Sequence, residues 1–593
     1  MSAGDEASIE RPRGEPPQEA QFGSDIVAET LRALALPYIA LNPGASFRGL
    51  HDSLVNFLGN RAPQLLLALH EEHAIAIAHG YAKVTGRPMA VAVHSNVGLF
   101  HATMAIYNAW CDRMPMLILG ATGPVDAAKR RPWIDWIHTA RDQGAIVRPY
   151  VKWDDQPASP TAAREAVLRA VWHARTPPQA PVYVNLDAEM QEASLEAPLP
   201  ALDATRYVPA AGMGPSARAI EKAAAILRAA QRPILLMGRV SRDVAAWDAR
   251  VALAERLGAR VVTDLKVGAA FPTDHALHVG APALLLQADA AKAIAEADAI
   301  VSLDWVDLAG TLRTACAGEP SAKVIQISLD HLVHGGWSMD YQGLPPVDCF
   351  IGAEPDATVP ALLDAIGPRN EKLADQTRSE SSPSTPPMDD LITTDDVAAA
   401  LRAAVKGRAT SLAHLPLSWN GASWHFGHPL DFLGSDGGGG IGGGPGIAVG
   451  AALALRDSGR LTVAVCGDGD FLMGATALWT AAHYRIPLLI VVANNRSFYN
   501  DEVHQERVAR TRGRPVENKW IGQRIADPDI DIAAIARAQG AQAWGPIMRQ
   551  DALAPALREA VASVDRGSLA VVDVRVQPGY TPAMSASLTR APR

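Results

Sequence analysis

Short runs rich in Val, Ile and Leu alternate with Ala-rich helical stretches along most of this chain, and no other feature constrains its fold as much. A hydrophobic run, a helix and a second hydrophobic run read together as a βαβ unit on a parallel sheet. Three blocks carry the pattern. The first, about residues 23–187, has expected strands at 38–41, 89–94 and 116–119 and an expected helix at 72–85. The second, about 216–367, has expected strands at 233–236, 260–263, 299–303 and 323–327. The third begins near Leu391, with expected strands at 461–466, 488–493 and 569–574.

Two irregular passages separate the blocks: a Pro-rich stretch at 197–215 and a polar, Ser/Pro-rich stretch at 370–390. The expected partition is a disordered tail at 1–21, domains at 22–190, 216–368 and 391–593, and linkers at 191–215 and 369–390. At roughly 100–200 residues per domain, 593 residues suit such a division. The fold class is α/β, with three doubly wound parallel-sheet domains. The first and third can share a fold without sharing sequence.

Composition narrows the partners. The net charge of −9 includes no long basic block, which argues against nucleic acid or an anionic membrane. The longest apolar stretches, such as 487–493, are too short to cross a bilayer. Cys111, Cys316, Cys349 and Cys466 form no Cys-x-x-Cys pair and read as buried, reduced thiols. The polar, Pro/Glu-rich start lacks the apolar core of a signal peptide, so a cytoplasmic location is expected.

The most informative segment is VCGDGDFLMGATALWTAAHYRIPLLIVVANN, residues 465–495. One hydrophobic strand ends at Gly467-Asp468-Gly469, and a second ends at Asn494-Asn495. Strands of a parallel sheet end on a common carboxyl edge, where open α/β folds bind ligands. Asp468 and Asn495 therefore meet there, and their oxygens suit a hard cation such as Mg²⁺. The Ser497 carbonyl is the candidate third ligand. Gly469 allows close approach of a phosphate to the start of the next helix.

This segment resembles the signature of thiamine diphosphate enzymes. The resemblance covers roughly residues 22–580 and implies pyrimidine-binding, middle and diphosphate-binding domains in that order. It assigns Gly467, Asp468, Gly469, Asp470 and Asn495 to cofactor binding, with Asp468, Asn495 and Ser497 on the metal. In such enzymes a loop passes under the cofactor, and a bulky apolar residue wedges between its two rings. Ile441, alone among the glycines of 437–444, looks like that wedge. The stretch ALHEEHAIAIAHGYAKVTGRP, residues 68–88, is similar to the family's activating carboxylate followed by a helix. Glu71 takes that catalytic position, and Glu72 starts the helix.

Within the family, the stretches 94–110, 150–159 and 477–487 look most like benzoylformate decarboxylases, with acetolactate synthases also similar. His94 falls 23 residues after Glu71, as the family's catalytic histidine does. An imidazole there would shuttle protons near neutral pH; His101, in the same loop, is left open. Two departures matter. Ala45 follows Asn42-Pro43-Gly44 where that family has a carboxylate-binding serine, and the hydroxyl comes one residue later, at Ser46. The shift points it elsewhere, although Ser46 is kept as a catalytic candidate. The family's second histidine is missing from 302–313, and nothing requires His425, His428 or His504 to replace it. The charged stretch 500–515 reads as an active-site lid or, preferably, a solvated helix.

The resemblance thus implies decarboxylation of a 2-oxo acid, or C–C lyase or carboligase chemistry on 2-oxo acids or aldehydes, through a C2 carbanion and an enamine. Alternatives are acetolactate synthase-type condensation, with FAD possible near 263–280, and an acyl-CoA lyase or decarboxylase. A non-catalytic cofactor-binding subunit is the remaining option. The resemblance also implies a homodimer at minimum and a homotetramer in many relatives.

Overall fold

The computed structural model describes residues 8–207, 209, 212–316, 318–333, 343–368 and 391–580. Its strands form three wholly parallel sheets. The first contains β1 (Tyr38–Leu41), β2 (Gln64–Leu67), β3 (Ala90–Val93), β4 (Met116–Thr122), β5 (Asp154–Asp155) and β6 (Pro181–Asp187), in the order β2-β1-β3-β4-β6-β5. The second contains β7 (Pro233–Met237), β8 (Arg260–Val262), β9 (Ala299–Leu303), β10 (Lys323–Ile327) and β11 (Cys349–Ile351), in the order β11-β10-β9-β7-β8. The third contains β12 (Thr410–His414), β13 (Leu461–Gly467), β14 (Leu488–Asn494), β15 (Gln542–Ile547) and β16 (Leu569–Arg575), in the order β12-β13-β14-β16-β15.

Without β2, the first sheet runs first-second-third-fifth-fourth in chain order, as the third sheet does. The two outer domains therefore share a fold. Most central strands are buried along their whole length, as expected of sheets covered on both faces.

Two glycine-bearing helices bring the outer domains together. Helix α1 (Glu71–Thr85) packs on α3 (Gly444–Leu455), with α2 (Ser95–Cys111) also lying against α1. A Cβ on Gly80 would meet the Ile447 carbonyl oxygen at 1.9 Å, and one on Gly450 would meet that of Ile77 at 1.8 Å. Only glycine allows so close a crossing. It fixes the start of α1, where Glu71 sits, relative to the loop that precedes α3, where Ile441 sits.

A buried ion pair adds a second tie. Lys83 Nζ lies 2.5 Å from Asp112 Oδ2, and it also donates to the Ser435 carbonyl at 2.5 Å. His79 Nε2 lies 2.8 Å from the same Asp112 oxygen. Burial alone would raise the Asp112 carboxyl, but Lys83 and His79 outweigh it and hold the group below its ordinary value. Replacing Lys83 by methionine removes the lysine partner of this buried carboxylate and leaves it only His79, so a loss of about 3–5 kcal/mol is expected in denaturant unfolding.

Three expectations change. The leading segment is not a free tail from Ser8 onward: Glu10 Oε1 lies 2.8 Å from His483 Nε2, and the Glu10 carbonyl accepts from Asn60 at 3.1 Å. Cys316 is half-exposed rather than buried, although all four cysteines are free thiols. Strands β2, β5, β6, β11, β12 and β15 were not expected. The 369–390 linker lies outside the described residues.

Candidate active site

The carboxyl edge of the third sheet builds a cation-binding constellation. Asp468 opens helix α4 (Asp468–Gly474) directly after β13, and Asn495 follows β14. Gly467 pairs with Ala493 in register, so the two side chains start from adjacent strand ends. Arg496 adopts φ +58°, a tight turn that returns the Ser497 N–H toward the edge. It donates to Asp468 Oδ2 at 3.1 Å and to Asn495 Oδ1 at 2.8 Å. The Ser497 hydroxyl donates to Glu502 Oε1 at 2.5 Å, from helix α5 (Tyr499–Thr511).

Asp468 is 3% exposed, and burial pushes its carboxyl up to about 6 despite backbone N–H donors from Gly469, Arg496 and Ser497. Such a carboxylate gains from a divalent cation, and the all-oxygen donor set fits Mg²⁺. Gly467, Asp468, Gly469, Asp470, Asn495, Ser497 and Ile441 all border one cavity of about 550 Å³. A Cβ on Gly467 would meet nothing within 4 Å, which leaves the backbone open to a diphosphate.

Asp470 departs from the cofactor-binding expectation. Its Oδ1 accepts from the Gly442 N–H at 2.7 Å and the Gly444 N–H at 3.3 Å, while Oδ2 lies 3.2 Å from His414 Nε2. Its carboxylate is therefore turned into the protein. Burial would raise the Asp470 carboxyl, but His414 and the two amides hold it low. From the other side, Asn108 Nδ2 donates to the Gly440 carbonyl at 3.0 Å. The Ile441 loop is thus tethered on both flanks, and Gly442 at φ +104° completes its turn. Ile441 is left 40% exposed at the cavity.

The carboxyl edge of the first sheet carries the other candidates. Glu71, 4% exposed, begins α1 and lies 3.0 Å through Oε2 from His101 Nδ1. His70 caps the helix by accepting from the Glu72 N–H, and its ring stacks on His101 at 4.9 Å. A Cβ on Gly98 would come within 2.8 Å of Glu71 Oε1, so glycine makes room for the carboxylate. His94 lies at the start of α2, directly after β3.

Ser46 does not point elsewhere. Its hydroxyl oxygen lies 2.9 Å from His94 Nδ1 and accepts from the Ser95 N–H at 3.2 Å. The hydroxyl can donate to Nδ1, a geometry that leaves Nε2 as the nitrogen carrying the proton of a neutral ring. Burial, then His138, lowers the His94 imidazole, while Glu71 raises it. Ser46, Glu71 and His94 do not border the 550 Å³ cavity. The two sheet edges thus carry two separate groups of candidate residues.

Three family models cover the chain in order: the thiamine pyrophosphate enzyme N-terminal TPP-binding domain at residues 22–146, the central domain at 220–339, and the C-terminal TPP-binding domain at 417–574. The chain belongs to the thiamine pyrophosphate enzyme family. Benzoylformate decarboxylase of Pseudomonas aeruginosa is 26% identical over 90% of this chain and 96% of its own length. The acetolactate synthase large subunit of Haemophilus influenzae is 25% identical over 80% and 82%. The crystal structure of benzoylformate decarboxylase from Polynucleobacter necessarius covers 95% of this chain and all of its own, with TM-score 0.78 and 22% identity. The 4-hydroxybenzoylformate decarboxylase of Rhodococcus jostii gives TM-score 0.75 at 22% identity, covering 94% of this chain and all of its own. The chain is thus a thiamine diphosphate-dependent enzyme of the decarboxylase/acetolactate synthase type.

For a member of this family, several residues near these two groups escaped the sequence reading. Glu502 is buried in helix α5, and Tyr499, Asn500 and Asp501 at the start of that helix border the cavity, so the solvated-helix reading of 500–515 fails at its first residues. Asn108, His414 and His138 carry no motif of their own. None of His425, His428 and His504 borders the cavity.

Proposed function

We propose that this chain is a Mg²⁺-dependent 2-oxo acid decarboxylase or carboligase whose sites are completed by a second copy. The convergence of Asp468, Asn495, Ser497 and Ile441 on one cavity carries the reading. Bound thiamine diphosphate supplies the electron sink for the bond beside a carbonyl. Asp468 and Asn495 side chains and the Ser497 carbonyl would hold Mg²⁺, with Gly467 against the diphosphate, while a Cβ on Gly469 would meet the Phe498 ring at 2.6 Å. Ile441 would support the rings, and Asp470 acts at one remove by holding that loop. Glu71 moves a proton at the pyrimidine, and His94 delivers one at the reacting carbon, with Ser46 orienting its ring. The pyrimidine-binding domain spans 22–190, the middle domain 216–368 and the diphosphate-binding domain 391–593.

The separation of the half-sites supports a homodimer in which Glu71 of one copy faces the Ile441 loop of the other. Apolar side chains exposed near Glu71, His94 and His138 fit a covered face: Phe100 is 58% exposed and Trp136 76%. Pairing of such dimers gives a tetramer. A second reading, acetolactate-type condensation, draws on a cavity of about 850 Å³ bordered by Thr263, Gln287, Trp305 and Arg313 at the middle sheet. Copurifying yellow flavin would favour it.

The test is CO₂ release from a panel of 2-oxo acids, with Mg²⁺ and thiamine diphosphate, scored for aldehydes and acyloins. Release with free aldehyde identifies a decarboxylase. Acyloin formation without release moves the assignment to a carboligase. Inertness toward every 2-oxo acid and aldehyde would refute the proposal.

A further inference from the structure

The middle-domain stretch 302–313 has no histidine, yet a second imidazole does reach His94. His138 lies on the segment after β4, and its ring centroid is 4.6 Å from that of His94, edge to face at 61°. Its placement is built from both sides. The Gly123 N–H, just past β4, donates to the His138 carbonyl at 3.3 Å. Asn96, two residues after His94, donates through Nδ2 to the Ile137 carbonyl at 3.2 Å. Thr139 Oγ1 donates to the Asp135 carbonyl at 2.5 Å, and Asp135 is itself paired with Arg131. These backbone anchors hold the ring without using its nitrogens.

We infer that His138 is a second catalytic histidine, which exchanges protons with the same reacting centre as His94 and reprotonates that ring between turnovers. The inference rests on the proposed reading of the first-sheet edge as half of the active site. Its chemistry follows from proton balance. In R–CO–COO⁻ + H⁺ → R–CHO + CO₂, the bond between carboxylate and carbonyl carbons breaks. Its electron pair ends in the aldehyde C–H bond, so each turnover consumes one proton. One imidazole delivers that proton and must regain it before the next turnover. Ser46 occupies His94 Nδ1, which leaves His94 only Nε2 for exchange. His138 and His94 are both partly exposed, and as the neighbouring ring His138 gives His94 a second source of protons. Burial and His138 lower the His94 imidazole, and Glu71 at the start of α1 raises it.

The test compares His138→Gln, His138→Ala and His94→Gln in the Mg²⁺- and thiamine diphosphate-loaded enzyme. The expected result is a fall in kcat of about 100-fold for both His138 variants. KM and cofactor affinity, read by tryptophan fluorescence quenching, should stay within about twofold, because side-chain removal leaves the backbone anchors in place. Added imidazole should restore part of the His138→Ala rate. A His138→Gln enzyme with wild-type kcat, beside a His94→Gln enzyme that has lost its activity, would overturn the inference and leave the proposed function standing. A loss that imidazole does not restore and that tracks weakened cofactor binding would mark a structural side chain and equally overturn it. Full activity in all three variants would overturn both this inference and the role given to His94.

Discussion

Glu71→Gln will slow exchange of the cofactor's C2 proton with solvent by a factor of about 10²–10⁴, the usual span for loss of a positioned acid–base group. The substitution isolates that role. Glutamine keeps the size and the outer oxygen that faces His101, so the start of α1 and its His70 cap should survive. Thiamine diphosphate affinity should therefore change by no more than a few fold. NMR of the bound cofactor after transfer to D₂O measures the exchange without knowledge of the substrate. Unchanged exchange would show that Glu71 is only a helix-start acid, favoured there by the helix dipole.

Asp468→Asn should weaken Mg²⁺ binding by at least about 100-fold, since even outer partners of metal ligands cost 10–100-fold. The pH dependence has a definite sign. Burial raises the Asp468 carboxyl to about 6, above its value in the unfolded chain. In the metal-free protein, the stability tied to its neutral form is present below the unfolded value and is lost as pH rises through about 6. Mg²⁺ requires the carboxylate, so its affinity should fall about tenfold for each pH unit below 6. Calorimetric titrations at pH 5, 6 and 7.5 measure this, and Asp468→Asn should show no such slope.

Much of this was legible in the sequence, for identifiable reasons. The strands at 299–303 and 323–327 were read to the residue, because each is a short run carrying Val and Ile between polar turns. Asp468, Asn495 and Ser497 could be placed together, because a parallel sheet puts successive strand ends on one edge. The misses have equally local causes. Strand β2 is part of an apolar run that continues through Ala68 and Leu69 toward the helix at Glu71, and β12 mixes Thr, Ser and His with Leu and Ala, so neither stands out as a separate apolar run. The resemblance assigned Asp470 to cofactor binding, but the amides of Gly442 and Gly444, nearly thirty residues away in the chain, capture its carboxylate. Ser46 and His138 meet His94 from segments 48 and 44 residues distant. No spacing rule encodes such meetings; they arise only when β1, β3 and β4 lie side by side.

The two half-sites on one chain lead to the central claim, that a working site needs Glu71 from one copy and Asp468 from another. Subunit mixing tests it directly. Glu71→Gln and Asp468→Asn proteins, each inactive alone, are dissociated, mixed in equal amounts and reassembled, and C2 proton exchange is followed with Mg²⁺ and thiamine diphosphate. Half of the dimers will then be mixed, each with one site free of either substitution, so recovery to about a quarter of the wild-type rate is expected from the symmetry of a two-fold dimer. If mixed dimers form and exchange stays at the level of the separate variants, both residues serve the same site within one chain, and the claim is wrong.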